Sequence, residues 1–97
     1  MPELRGTIAC RVLIGGRVQG VFFRESCRRE SLARGVAGWV RNRSDGRVEA
    51  VFEGPPQAVE AMATWCGTGP PGAHVAEVTV SEAPIEGLHG FRIVPST

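Results

Sequence analysis

The sequence predicts an α+β sandwich, in which two helices cover one face of a mixed, mostly antiparallel sheet. Apolar residues alternate with polar ones over several short segments, as they do in half-buried strands. Two longer segments carry apolar residues at helical spacing. These strand and helix patterns alternate along 97 residues, a length that suits one domain.

The first strand–helix–strand unit follows a loose lead-in over residues 1–5. Residues 7–14 are mostly apolar on both faces, which predicts a strand in the centre of the sheet. A helix is expected from residue 22 or 23 to residue 34, and Gly35 stands where glycine commonly follows a helix. The apolar stripe of this helix is narrow and comprises Phe23, Cys27, Leu32 and Ala33.

A β-hairpin is predicted after this helix. Residues 36–41 read as the second strand, which Asn42 ends. Asp45-Gly46 then favours a turn whose twist matches that of the flanking strands. In the third strand, residues 47–53, we expect Val48, Ala50 and Phe52 to point inward and Glu49 and Glu53 to point outward.

A second helix and a fourth strand complete another unit. Gly54-Pro55-Pro56 breaks the third strand and begins the helix, because proline is tolerated in a first helical turn. The stripe of this helix comprises Ala58, Met62 and Trp65, with Val59 and Cys66 beside it. After a loop rich in glycine and proline, residues 75–81 form the fourth strand, with Ala76, Val78 and Val80 inward.

The order of elements indicates the topology. Two strand–helix–strand units joined by a hairpin are typical of a split βαβ, ferredoxin-like sandwich with both helices on one face. Residues 91–94 add a short extra C-terminal strand, expected at a sheet edge. Because the first helix returns the chain, the second strand should run parallel to the first. Asn42 should then lie at the same sheet edge as the turn that follows the first strand.

Composition argues against several classes of protein. The net charge is +1, which gives no strong field for nucleic acid or acidic membranes. Residues 1–10 contain no long apolar run, so neither a signal peptide nor a membrane span is expected. His74 and His89 lack partners at metal-ligand spacing and are expected at the surface, so no metal or cofactor is predicted.

The cysteines indicate the compartment. They are odd in number and include no C-x-x-C pair, which predicts free buried thiols in a reducing cytoplasm. Whether any two of Cys10, Cys27 and Cys66 form a disulfide stays open at this point.

The segment from Gly16 to Arg24, GRVQGVFFR, carries the first candidate site. Gly16 and Gly20 are expected to bracket a short turn, in which successive backbone N–H groups point at one anion. The following helix adds unpaired N–H groups and the positive end of its dipole. Arg24 lies in the first helical turn, where its planar guanidinium suits phosphate oxygens. Taken alone, this pattern also suits a plain structural turn.

A second segment favours the functional interpretation. Residues 38–42 read GWVRN and are followed by Asp45-Gly46. GRVQGVFFR and GWVRN, with this spacing, closely resemble the two motifs of the acylphosphatase family. The resemblance runs from the first strand to Phe91-Arg92-Ile93, and it predicts a single acylphosphatase-like domain over residues 1–97.

The resemblance implies an activity and a set of site residues. Acylphosphatases hydrolyse the carboxyl–phosphate bond of acyl phosphates, so we expect a cytoplasmic, monomeric enzyme acting on a small acyl phosphate, with phosphate or sulfate as competitive ligands. The family's catalytic arginine falls on Arg24, and its catalytic asparagine, expected to orient the attacking water, falls on Asn42. The family's phosphate-cradling loop falls on Arg17, Val18, Gln19, Gly20, Val21 and Phe22.

Some of these residues have simpler interpretations. Asn42 is alternatively a turn residue that satisfies its own backbone. Gln19 alternatively braces the loop through its side-chain amide, and Arg17 is alternatively a solvated charge. We expect neither Gln19 nor Arg17 to be essential.

Other classes of protein share parts of the pattern. A non-catalytic phosphate or acyl-phosphate binding module would carry the same site. RNA-recognition domains share the topology but stack bases on sheet aromatics, here only Trp39, Phe52 and the late Phe91. Hydrogenase-maturation proteins also begin with an acylphosphatase-like domain, but those chains are much longer, so we expect the free-standing enzyme.

Overall fold

Five strands and two helices follow one another in the predicted order in the computed structural model, which describes residues 6–97. The lead-in expected over residues 1–5 lies outside the described residues. The elements are β1 (Ile8–Arg17), α1 (Phe23–Ala33), β2 (Ala37–Asn42), β3 (Val48–Gly54), α2 (Pro56–Cys66), β4 (His74–Glu82) and β5 (Phe91–Ile93).

The sheet has the strand order β4-β1-β3-β2-β5. β1 is an interior strand that pairs antiparallel with both β3 and β4, and the central β3 also pairs antiparallel with β2. β1 and β2 therefore run in the same direction with β3 between them, and their carboxyl ends lie at one edge. The short β5 pairs parallel with β2 at an outer edge. The predicted split βαβ topology with an extra C-terminal strand is confirmed.

The hydrophobic core lies between one face of the sheet and the two helices. On this face Phe52 and Phe91 stack with their ring centroids 5.7 Å apart. One prediction for α1 is wrong, because Leu32 is 48% exposed and Ser31 is buried instead. The buried positions of α1 repeat every four residues, and residue 32 falls outside that stripe. The buried members of the two helices are Phe23, Cys27 and Ser31 in α1 and Val59, Met62 and Cys66 in α2.

The fourth strand departs from its predicted alternation. Of the three residues expected inward, Val78 packs against the core, but Ala76 and Val80 are exposed. The register of β4 shifts opposite Gly15 and Gly16, so residue 76 has no partner in the β1 ladder. A β-bulge of this kind interrupts the two-residue period at Ala76, which explains the wrong prediction there. Val80 keeps the register of Val78, and its exposure goes with the position of β4 at the edge of the sheet.

Glu49 of β3 is buried, although it was expected to point outward to solvent. It lies on the sheet face opposite the helices and is only 3% exposed. Its carboxylate accepts hydrogen bonds from Arg11 of β1 and from Arg41 of β2, the latter at 2.8 Å. Burial alone would raise the pKa of Glu49, but these two guanidinium groups outweigh it and lower the pKa.

Glu53 is the second buried carboxylate of this face, at 5% exposure. Its two oxygens accept hydrogen bonds from the backbone N–H groups of Glu86 and Leu88, each at 2.9 Å. The segment that joins β4 to β5 therefore crosses part of the sheet face that the helices leave open. The expectation that Glu53 points away from the helices is right, and this segment buries its carboxylate on the other face of the sheet.

Further predictions concern the thiols, the histidines and the membrane. All three cysteines are free and buried, as expected, which answers the disulfide question. Both histidines are exposed. Neither helix within residues 6–97 is long and apolar enough to cross a membrane.

Replacing Glu49 by Gln is expected to lower the free energy of unfolding by about 2 kcal/mol at neutral pH. The amide keeps only one acceptor oxygen, so one of the two arginine hydrogen bonds is lost and the other no longer has an ionised acceptor. The folded-state pKa lies below the ordinary value of 4.5, so this contribution is complete above that value and is lost as the pH falls through the folded pKa. The difference between Glu49→Gln and the unsubstituted chain should therefore narrow in acid.

Urea unfolding at neutral and at acid pH measures this difference. Glu60→Gln, at an exposed position of α2, is the control and should unfold like the unsubstituted chain at both pH values. A Glu49→Gln difference that stays constant with pH would contradict the assignment of the stabilisation to the ionised carboxylate.

Candidate functional site

A cleft opens at the sheet edge where β1 and β2 end. Its volume is about 330 Å³. It brings Arg24 of α1 and Asn42 of β2 together, although β3 separates β2 from β1, the strand that leads into α1. The residues that line it are Val18, Gly20, Phe22, Phe23, Arg24, Glu25, Asn42 and Ile93.

The loop over residues 18–22 has the backbone of an anion nest. Gly20 has a φ of 75° and Phe22 a φ of 64°, both in the left-handed region, whereas Val21 between them does not. Alternating handedness turns successive N–H groups toward the same side of the chain. The N–H groups of residues 20–25 donate to no carbonyl or side chain among the described residues, and the first helical bond runs from Ser26 to Phe22 at 3.0 Å.

Gly16 does not bracket this loop, which corrects the prediction. β1 continues through Gly16 to Arg17, and these residues pair with β4. A Cβ at Gly16 would lie 2.3 Å from the backbone oxygen of His74, and its φ is 121°. Glycine is needed there because two strands approach closely at the bulge, and the loop begins only at Val18.

Arg24 has no internal counter-ion among the described residues. The neighbouring carboxylate of Glu25 also lines the cleft, but it is engaged elsewhere. Arg28 donates to it at 2.8 and 3.0 Å and Arg29 at 3.0 Å, and these hydrogen bonds lower the pKa of Glu25 to about 2. Glu25 therefore does not neutralise the guanidinium of Arg24.

Asn42 is the last residue of β2, and its side chain reaches the cleft. Its backbone oxygen accepts a hydrogen bond from Thr97 at 3.2 Å. Its side-chain Oδ1 is buried and has no donor among the described residues. A buried carbonyl oxygen without a donor costs about 1–3 kcal/mol, so this atom has a strong tendency to accept a hydrogen bond from water or a ligand.

Gln19 joins the loop to the β2–β3 hairpin. Its Nε2 donates to the backbone oxygens of Arg43, at 2.8 Å, and Arg47, at 2.9 Å. These two carbonyls lie on either side of the hairpin turn that follows Asn42. The geometry agrees with the bracing interpretation of Gln19, because both protons of its amide nitrogen are used inside the protein.

Two other predicted loop residues do not line the cleft. Arg17 is exposed and lies in β1, opposite His74 of the edge strand. Val21 is partly buried and packs against the core. Val21 and Gln19 therefore contribute only their backbones to the loop that forms the nest, and Arg17 lies outside that loop.

The sequence interpretation missed three residues of the cleft. Phe23 and Glu25 flank Arg24, and their proximity was visible from the motif itself. Ile93 comes from β5, where it pairs with Val40 of β2. Nothing local marks Ile93, because its place depends on the parallel pairing of two strands far apart in the chain.

The aromatic residues are not arranged as in a base-stacking platform. Phe52 and Phe91 lie in the core under the helices. Trp39 is on the open face, but the guanidinium of Arg41 lies over its ring at 4.9 Å from the centroid. The described strands therefore present no set of exposed aromatic rings of the kind that RNA-recognition domains use.

The chain is similar to known acylphosphatases along most of its length. The family model "Acylphosphatase" matches residues 10–93. A curated acylphosphatase of Haloquadratum walsbyi is 56% identical over 82 residues, which cover 84% of this chain and 88% of that protein. The solved structure of an acylphosphatase from Coxiella burnetii has a TM-score of 0.90 at 36% identity, and the match covers 95% of this chain and 97% of that one.

A much longer protein contains a similar segment. The crystal structure of full-length HypF in the phosphate- and nucleotide-bound form has a TM-score of 0.85 at 30% identity. The match covers 93% of this chain but 12% of HypF. The family match and the identity to curated relatives, taken together, show that the chain belongs to the acylphosphatase family, as its two motifs and its predicted ferredoxin-like fold indicated, and confirm the predicted enzyme class.

Proposed function

We propose that the cleft hydrolyses the carboxyl–phosphate bond of small acyl phosphates, giving a carboxylate and inorganic phosphate. One observation carries the proposal: free backbone N–H groups, a cation without a counter-ion and an unpartnered amide oxygen line the same cleft. The names of the curated relatives support the same reaction.

The phosphoryl group is bound by the nest and by Arg24. The free N–H groups of residues 20–25 supply donors, and the start of α1 adds the positive end of its dipole. The guanidinium of Arg24 contacts two phosphoryl oxygens in the bidentate geometry that arginine favours. A cation in a first helical turn is mildly unfavourable, and a bound anion reverses that effect.

Asn42 positions the attacking water. Its Oδ1 accepts one hydrogen bond from the water, whose oxygen then attacks phosphorus in line with the leaving group. The bond between phosphorus and the acyl oxygen breaks, the carboxylate leaves with the electron pair, and the proton of the water passes to the phosphate product. Because a carboxylate leaves readily, no strong base is required, and an amide is sufficient.

We propose that this reaction needs no metal, nucleic acid or membrane partner, and that a cytoplasmic monomer carries it out within one domain of residues 1–97. Three free thiols are typical of a reducing compartment. No group of three His, Cys, Asp or Glu within residues 6–97 is arranged to hold a metal ion.

Phosphate release from acetyl phosphate or benzoyl phosphate, with and without a chelator, tests the function. Turnover that the chelator leaves unchanged, with competitive inhibition by phosphate or sulfate, is the expected result. Binding of phosphate without any turnover would instead assign the chain as a non-catalytic binding module. Turnover that a chelator abolishes and a divalent ion restores would overturn the metal-independent mechanism.

Arg24→Ala should weaken phosphate inhibition by about tenfold or more and lower turnover by about three orders of magnitude, because among residues 6–97 Arg24 is the only side-chain cation that lines the cleft. The melting temperature should hold or rise slightly, since the cation at the helix start is lost. Arg34→Ala, at the other end of α1, is the matched control and should leave phosphate inhibition and turnover unchanged. A lowered melting temperature with unchanged turnover would make Arg24 a structural residue.

Asn42→Ala separates binding from chemistry. Turnover should fall by roughly two to three orders of magnitude, the usual cost of removing one preorganised polar group. Phosphate affinity should change little, because the nest and Arg24 carry it. Gln57→Ala removes an exposed carboxamide on α2 and is the control.

An equilibrium titration with phosphate and a single-turnover assay on Asn42→Ala decide between the roles. Equal losses of affinity and rate would make Asn42 a phosphate ligand rather than the residue that holds the water. No change in either would make it a turn residue.

A further inference from the structure

We propose that the side chain of Phe22 forms the surface on which the acyl group of the substrate packs, so that the enzyme prefers acyl phosphates with an apolar aromatic or branched acyl group. This inference rests on the proposed function, because it assigns the part of the substrate that the phosphate site leaves outside the nest.

Phe22 is unfavourable for the fold in two ways. Its backbone has φ 64° and ψ 25°, and it is the only non-glycine residue within residues 6–97 with a positive φ. Its ring is 83% exposed, the largest exposure among the large apolar side chains of this range. Glycine or asparagine at this position would avoid both costs. A strained residue at the rim of a binding cleft points to a role in the function rather than in stability.

The position of Phe22 fits contact with the acyl group. It is the N-cap residue of α1, so its own N–H belongs to the nest while its ring lines the same cleft. The acyl group is bonded to the phosphoryl group that the nest holds. The cleft, at about 330 Å³, is larger than a phosphate ion needs, and it leaves room for a substituent beside this ring.

The direction of attack separates Phe22 from the other exposed apolar residue of the cleft. In an in-line displacement the leaving oxygen lies opposite the water, and therefore opposite Asn42. Ile93 is 40% exposed, but it pairs with Val40, two positions before Asn42 on the same face of β2. Ile93 is thus on the water side, and the loop that carries Phe22 is on the side available to the acyl group.

The ring of Phe22 should discriminate between acyl groups by apolar contact. A benzoyl group can bury a whole aromatic face against it, and aromatic pairs gain additional energy from their geometry. An acetyl group offers one methyl group and gains much less. The measurable quantity is the ratio of kcat/KM for benzoyl phosphate to kcat/KM for acetyl phosphate. When this ratio is compared between two variants, the difference in intrinsic reactivity between the two substrates cancels.

Phe22→Asn is the main variant, because asparagine tolerates the left-handed conformation and keeps the N–H group of the nest. We expect the benzoyl-to-acetyl ratio to fall about tenfold, with inhibition by inorganic phosphate weakened less than about threefold. The melting temperature should hold or rise. Phe22→Leu keeps apolar surface without the ring, and its ratio should lie between those of Phe22→Asn and the unsubstituted chain.

Ile93→Ala is the matched control, since it shortens an exposed apolar residue of the same cleft on the water side. Its ratio should stay within about twofold of the unsubstituted value. A ratio unchanged in both Phe22 variants, or shifted in Ile93→Ala instead, would overturn this inference. A parallel loss of both activities and of phosphate inhibition in Phe22→Asn would also overturn it, because Phe22 would then shape the nest.

The proposed function fails in a different way. If the unsubstituted chain releases phosphate from neither substrate, the reaction itself is wrong, and the acyl contact falls with it. If the unsubstituted chain hydrolyses both substrates but the Phe22 variants have the same benzoyl-to-acetyl ratio as that chain, only the acyl contact is wrong.

Discussion

The two hydrogen bonds of the Gln19 amide join the loop side of the cleft to the hairpin side. The 18–22 loop follows β1 and Asn42 ends β2, and the sheet places β3 between these strands. No ladder bond joins β1 to β2, so the two halves of the site need another connection. Gln19 supplies it by donating to the carbonyls of Arg43 and Arg47 on both sides of the hairpin turn. Only a side chain with two donors on one nitrogen holds both carbonyls in this way.

Most of the fold is predictable because its signals are local. The Asp45-Gly46 turn, the glycine after α1 and the proline start of α2 each specify one boundary from neighbouring residues. The environments of Glu49 and of β4 are not predictable in this way. The burial of Glu49 depends on Arg11 and Arg41 in two other strands. The exposure of Ala76 in β4 depends on a bulge in the pairing of β4 with β1.

The candidate site likewise has residues that local sequence signals predict and features that they do not. The motifs indicate that Arg24 and Asn42 should share one edge of the sheet, and both line one cleft. The left-handed conformation of Phe22 could not be predicted, because phenylalanine rarely adopts it and no residue type marks it. The engagement of Glu25 by Arg28 and Arg29 follows helical spacing and was accessible from the sequence. That this engagement leaves Arg24 without an ion-pair partner among the described residues becomes clear only from the structure of the cleft.

The strand order also constrains how the chain acquires activity during folding. The interior strand β1 is the first strand to be made, yet it pairs with β3 and with β4, which follow much later in the chain. Pairings between distant segments close slowly because loop entropy must be overcome first. The cleft further takes Ile93 from the last strand. A partly folded chain therefore lacks the complete cleft, and the recovery of turnover after dilution from denaturant reports closure of the whole sheet rather than formation of the nest alone.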